Sequence, residues 1–345
     1  MNTVLAPTSI EELVDAVRST SQLIPVGAGT KPRLSQCDVA KLSMVGLRGI
    51  REYDPSEFTF TAAAGTPVRE IVAALAERGQ YLPFDPMLVD AGATLGGTVV
   101  AGLSGPGRFR FGGLRDFILG VRFVDGLGRL LHMGGKVVKN AAGFDLPKFF
   151  VGSLGRFGVL AEITFKVFPR PPSSLSLRLS GGREILTEAA TSRFEFDALD
   201  IVPGEDGVFA RFCGPETALK VMSGEVFSRW PGEIVSAEPW AGLREFRWAH
   251  PDGPLIKVSM SPAAKLPELQ GARWHVSAGG NVAFVSLAST TQLAELDEAL
   301  RKLGLSGVTL RGDAPLWFGI RARPAIAQAV KQALDPANRF PSLDD

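Results

Sequence analysis

The sequence predicts an α+β protein of two domains, and three observations predict it. Its 345 residues are about twice an ordinary domain of roughly 150. Period-2 and helix-period apolar patterns alternate along the chain instead of segregating. A Pro/Ser stretch, Pro169-Arg170-Pro171-Pro172-Ser173-Ser174, interrupts the pattern near the middle, as a linker does.

The elements follow in order. In PTSIEELVDAVR (7–18), Ile10, Leu13, Val14 and Val17 make one helical stripe, and Thr8 with Glu11 or Ser9 with Glu12 fits a capping box. Residues 23–26 read as a short buried strand running into Gly27-Ala28-Gly29-Thr30-Lys31. A strand over 58–64 precedes a helix capped by Thr66, with Pro67 at its first position and Gly79 after its end. Asp125-Gly126 and Gly128 predict a hairpin, and 158–168 alternates with Val159, Ala161, Ile163, Phe165 and Val167 on one face.

Beyond the linker, strands are expected at 207–212, 255–260, 281–288 and 307–311. Helices are expected from Pro215 to Phe227, from Ser261-Pro262 onward, along Leu293, Leu296, Leu300 and Leu303, and over 323–334. Such alternation implies a ferredoxin-like α+β unit built as two split β-α-β halves.

Composition narrows the function. With 37 basic and 36 acidic residues the net charge is +1, which gives no general attraction to nucleic acid or an anionic membrane. No apolar run is long enough to span a bilayer, and the N-terminus lacks a signal-peptide pattern, so a cytoplasmic protein without direct membrane insertion is expected. Cys37 and Cys213 lie far apart and read as small buried residues rather than a disulfide or metal pair. The 39 glycines, about 11% against the usual ~7%, cluster in loops.

Those loops carry the chemistry. Pro25 to Lys31 can form a concave anion site from consecutive N–H groups, with Thr30 and Lys31 adding a donor and a charge. It is neither a dinucleotide GxGxxG nor a P-loop, because the spacings differ. The stretch Ala93–Gly105 sets small and hydroxyl residues over a loop suited to a flat polar ligand. Arg108-Phe109-Arg110-Phe111-Gly112-Gly113-Leu114-Arg115-Asp116, Lys139–Asp145 and Gly152–Gly158 continue the theme. Together they offer many backbone donors and few acids or bases, which suits a large cofactor that brings its own chemistry.

The ordered segments IPVGAGTKP, AAAGTPVREIVAALAERG, ATLGGTVVAGLSGPGR, GGLRDFILGVRFVDGLG and VVKNAAGFDLPKFFVGSLGRFGVLAEITFKVFPRP resemble the FAD-binding domain of the vanillyl-alcohol oxidase (PCMH-type) flavoproteins. More narrowly, they resemble the FAD-binding subunits of glycolate oxidase. The resemblance implies a PCMH-type FAD-binding domain of two α+β subdomains over 1–172. An α+β cap would occupy 173–312, and a helix and tail over 313–345 would return to the first domain. It implies pyrophosphate contacts from Val26, Gly27, Ala28, Gly29, Thr30, Thr94, Gly96, Gly97 and Thr98. Gly102 and Ser104 would lie nearer the flavin, and Gly158, Val159, Leu160 and Ile163 would approach the adenine or ribose. Arg115, Asp116, Lys139 and Asn140 are the expected polar residues at the isoalloxazine edge.

The three histidines, His132, His250 and His275, lie outside the glycine loops, so the FAD is expected to be non-covalent. No histidine cluster supplies a metal site, His275 reads as structural, and no catalytic base is evident. In the tail, Asp335-Pro336-Ala337-Asn338-Arg339-Phe340-Pro341 has proline where the family carries asparagine, so no flavin contact is expected there.

The leading reading is therefore the FAD subunit of a glycolate (2-hydroxy-acid) oxidase complex. A second FAD subunit and an iron–sulfur subunit would be its partners, and any membrane association would come through them. The alternatives are a stand-alone hydroxy-acid dehydrogenase, with Arg108, Arg110 and Arg247 as carboxylate clamps, and an inactive assembly module.

Overall fold

The computed structural model describes residues 4–135, 145–321 and 325–344. Two main sheets and one short two-stranded ladder build the N-terminal half. Val4–Leu5, Ala40–Ser43 and Leu23–Val26 form a three-stranded parallel sheet with Ala40–Ser43 central. The helix Ile10–Ser19 packs over it, burying Leu13 and Val17. Of the two capping pairs the sequence allows, Ser9 and Glu12 operate: Ser9 Oγ accepts from Glu12 N at 3.1 Å, and the Glu12 carboxylate accepts from Thr8 N at 2.7 Å.

The second sheet is antiparallel, in the order Ile50–Asp54, Thr59–Ala63, Val159–Lys166, Ile118–Val124, Leu130–Gly134. Its central strand alternates as expected, with Ile163 and Phe165 fully buried and Glu162, Thr164 and Lys166 half-buried. Phe165 stacks on Phe60 at 6.0 Å between ring centres and meets Phe84 at 6.2 Å, which makes an aromatic spine for this core.

Three local expectations change here. Thr66 does not cap the helix Val68–Ala76; its hydroxyl donates to Ala63 O at 2.7 Å and accepts from Gly49 N at 2.9 Å, tying two strand ends together. The segment expected as a glycine loop, 93–105, contains the helix Leu95–Ala101, capped by Thr94 and ended by Gly102 at φ +59°. Leu95 and Val99 bury into the aromatic core, and that burial outweighs the poor helix propensity of Gly96 and Gly97. The linker is shorter than expected, because Phe168–Pro169 pairs with Gln80–Tyr81 and the strand Ser173–Leu179 starts directly after Pro172.

The cap has two halves. Its first half orders Ala198–Asp200, Val208–Gly214, Ser173–Leu179 and Gly232–Val235 antiparallel, with helices Glu184–Ala190 and Glu216–Arg229 as crossovers, a ferredoxin-like arrangement. The second half repeats that order with Arg273–Ser277, Val282–Ser286, Leu255–Ser259 and Ser306–Arg311, and adds Trp317–Gly319 at the edge. The helix expected from Ser261-Pro262 is absent, and 260–272 is irregular. Pro262 and Pro267 both lack an N–H and push their predecessors out of the helical region, so the first crossover of this half is a loop.

The two halves join at a bridge between Ile201 and Val276 and at a buried cluster beneath it. There Asp200 accepts from Ser277 Oγ at 2.9 Å and Ala278 N at 3.0 Å and meets His275 Nε2 at 2.7 Å.

The last helix, Ala325–Leu334, and its tail pack back on the N-terminal half: Leu334 enters the aromatic core and Phe340 the core of the parallel sheet. Cys37 and Cys213 are free and half-buried rather than buried. Among the described residues no helix is long and apolar enough to cross a membrane.

Candidate functional site

The strand Leu23–Val26 ends where Gly27-Ala28-Gly29-Thr30-Lys31 turns toward a short 3-10 segment, Pro32–Ser35. Gly29 takes φ +71°, which a residue with a Cβ resists. The N–H groups of Ala28, Gly29, Thr30 and Lys31 find no acceptor among the described residues. Four consecutive free donors give the loop the array of unpaired N–H groups that an anion site needs.

This loop faces the start of the helix Leu95–Ala101 across a narrow cleft. Pro25 to Lys31 line one side, and Thr94, Gly97 and Val100 line the other. The two walls approach so closely that a Cβ on Gly27 would lie 2.2 Å from Thr94 Oγ1. Glycine at 27 keeps the cleft open. Gly96 serves the fold instead, because a Cβ there would meet Ala64 Cβ at 2.8 Å; its absence lets the helix sit on the sheet.

The helix start supplies fewer donors than its composition suggests. Leu95 N donates to Thr66 O, Gly96 N to Ala64 O, and Gly97 N to Thr94 Oγ1. Thr98 Oγ1, by contrast, is buried without a partner.

Charge completes the cleft. Lys31 is 9% exposed, and its ammonium donates to Thr30 Oγ1 at 2.9 Å. No carboxylate pairs with it among the described residues, and burial alone pushes its pKa down to about 8. A buried ammonium and four free N–H groups on residues lining one cleft ask for a negative ligand. A pyrophosphate supplies both the charge and the acceptors, so the residues present fit the diphosphate of FAD.

Leu154 lines this cleft and also a cavity of about 610 Å³. Three distant segments enclose that cavity: Phe149–Phe157, the cap edge at Trp317–Arg321, and the last helix with its tail through Gln328, Lys331, Asn338 and Leu343. Its size lies within the roughly 300–1,000 Å³ of organic-ligand pockets. Arg115 reaches it, and Ser153 Oγ, also in its lining, is buried without a partner.

The tail lines this cavity despite the proline at 341. It is held by Lys331, whose ammonium donates to Asp335 at 2.6 Å, to Arg156 O and Phe340 O at 2.9 Å, and to Pro341 O at 3.1 Å.

Val26, Gly27, Ala28, Gly29, Thr30, Thr94 and Gly97 thus come together in the cleft, and Arg115 in the neighbouring cavity. Other candidates are engaged elsewhere. Gly102 O accepts from Lys257 Nζ of the cap at 2.7 Å, and Ser104 Oγ accepts from Leu114 N at 3.2 Å. Asp116 accepts from Gly113 N at 2.9 Å and stabilises that turn. Gly158, Val159, Leu160 and Ile163 are buried at or in the central strand, so only backbone atoms there can reach a ligand. Lys139 and Asn140 lie outside the described residues.

Arg110 pairs with Glu195 at 2.7 Å and Asp197 at 3.6 Å, and Arg247 with Asp90 at 3.1 Å. His275 is fully buried, stacked on Phe284 and bonded to Asp200, a structural setting.

Residues 1–134 match the sequence profile of the FAD binding domain family. Glycolate oxidase subunit GlcE of Escherichia coli K12 is 35% identical across 96% of this chain and 94% of its own length. Glycolate oxidase subunit GlcD of Bacillus subtilis is 28% identical over 50% of this chain, and the match spans only 38% of GlcD. A D-2-hydroxyglutarate dehydrogenase of Xanthomonas citri pv. viticola is 30% identical over 50% of this chain and 38% of that protein. In fold, the chain resembles an alkyldihydroxyacetonephosphate synthase at TM-score 0.69 and 16% identity, over 97% of this chain and 76% of the synthase.

Proposed function

This chain belongs to the GlcE family of FAD-binding glycolate oxidase subunits, and from that premise we propose that it carries FAD in a multi-subunit enzyme oxidising glycolate to glyoxylate. The observation that carries the reading is the cleft of free N–H groups closed by an unpaired buried Lys31. In this reading Ala28, Gly29, Thr30 and Lys31 grip the pyrophosphate, while Thr94 and Gly97 form the opposite wall. The FAD is non-covalent, because none of the three histidines lines the cleft or the cavity.

When bound, FAD supplies the two-electron acceptor that no side chain here provides. The protein orients it and shields it from water. Arg115 contributes positive charge to the neighbouring cavity, which favours negative charge on a ring held there. Lys139 and Asn140 are proposed for the same edge, and Gly158, Val159, Leu160 and Ile163 for backbone contacts to the adenine side. Gly96, Thr98, Gly102, Ser104 and Asp116 then act by shaping and supporting the site. The domain limits 1–172, 173–312 and 313–345 are proposed as the functional units.

A second FAD subunit and an iron–sulfur subunit complete the enzyme in this proposal, and any membrane contact comes through them. The test is reconstitution. The isolated chain should hold flavin but reduce an artificial dye with glycolate only when co-purified with both partners. Full turnover by the isolated chain would overturn the partner-dependent reading in favour of a stand-alone dehydrogenase.

A further inference from the structure

A second cavity, of about 440 Å³, lies where the linker enters the cap, and it shares no lining residue with the cleft or the larger cavity. Arg170, Arg211, Arg244, Tyr81, Ser173 and Ser174 supply its polar lining beside Cys213 and one carboxylate, Asp85.

Asp85 is already committed. Its Oδ2 accepts from Arg211 at 2.6 Å and from Gly107 N at 2.7 Å, so one arginine is neutralised. Arg170 and Arg244 have no carboxylate partner among the described residues, and Arg244 Nε is buried without any acceptor. Tyr81 OH also lacks a partner among the described residues, and burial raises its pKa, so the phenol stays a donor. Burial likewise pushes Cys213 up to about 12, which leaves a neutral thiol instead of a competing anion.

The inventory is two unpaired guanidiniums and several hydroxyl donors; Asp85 is occupied, and Asp197, buried behind Cys213, is pushed by that burial toward its neutral form. This inventory calls for an acceptor-rich anion. The cavity is much larger than an inorganic ion needs, and Val72, Leu82, Phe111 and Pro171 line it with apolar surface. An organic body therefore accompanies the charge.

We propose that this cavity binds a small organic carboxylate through Arg170 and Arg244, at a site separate from the cofactor cleft. The site lies where the N-terminal half meets the cap, because Arg170 belongs to the linker and Arg244 to the cap helix Glu238–Arg244. A bound carboxylate would bridge them.

The experiment is isothermal titration of the flavin-loaded chain with benzoate, while the visible flavin spectrum is followed in parallel. The expected result is saturable binding that leaves the flavin spectrum unchanged and weakens at least tenfold in Arg244→Gln. Arg170→Gln, an exposed position, should weaken it several-fold without changing thermal stability, and it keeps the test open if Arg244→Gln folds poorly. Four results would overturn the proposal: no binding, binding untouched by either substitution, binding that shifts the flavin spectrum, or inorganic phosphate binding as tightly as benzoate. None of them depends on whether glycolate is the substrate, so failure here is distinguishable from failure of the proposed function.

Discussion

At the scale of single residues, Lys31 carries the most chemistry. Its pKa is lowered to about 8 by burial, against ~10.4 for a lysine in the unfolded chain. Two consequences have opposite signs. Without ligand, the folded state releases this proton first, so stability rises with pH between about 8 and ~10.4. With FAD bound as proposed, its pyrophosphate prefers the charged ammonium. Affinity is therefore full below about 8 and falls as pH rises above it, by up to roughly tenfold per pH unit. Flavin fluorescence titrations from pH 7 to 10 check this; Lys31→Met should bind more weakly at pH 7 and lose the slope, and an unchanged slope would contradict the assignment.

Gly27 and Gly96 separate binding from folding at the same scale. Gly27→Ala puts a methyl 2.2 Å from Thr94 Oγ1 and should cut FAD content more than tenfold while far-UV circular dichroism is retained. Gly96→Ala presses on Ala64 instead and should cost about 1–3 kcal/mol of stability, read from urea unfolding. Equal effects of both changes on flavin content would show that the cleft is not where the account puts it.

At the scale of elements, a buried lysine organises the C-terminal tail. Lys331 ties Asp335 to three backbone carbonyls, and Asp335 is fully buried and also accepts from Arg339 N and Phe340 N at 2.9 Å. Lys331→Met leaves that carboxylate buried without its counter-charge, which costs about 3–5 kcal/mol. Limited proteolysis should then cleave the tail faster than in the parent protein; equal rates would refute the latch.

Elements with strong periodicity or clear punctuation were legible in the sequence: Ile10–Ser19 from its stripe and cap, Val159–Lys166 from its alternation, and the hairpin at Asp125 from its turn residues. Short edge strands such as Val4–Leu5 and Gln80–Tyr81 were not, because two residues carry no period. The helix Leu95–Ala101 was hidden for another reason. Glycine-rich helices form only where tertiary burial overrides propensity, and the partner residue, Ala64, is remote in sequence.

At the scale of the whole molecule, the candidate cleft was legible because the glycine loop on one of its walls is contiguous in sequence. The larger cavity did not announce itself. Its walls come from Phe149–Phe157, Trp317–Arg321 and the tail, which only the folded chain brings together. In the proposed function the labour divides accordingly: the N-terminal half offers the backbone grip, while the cap and tail close the neighbouring space.

The most direct measurement is the visible absorption spectrum of the purified chain before and after acid precipitation. The expected result is a flavin spectrum whose colour passes entirely to the supernatant and is identified there as FAD. A chain that is colourless and takes up no added FAD, or whose colour stays in the pellet, would contradict it.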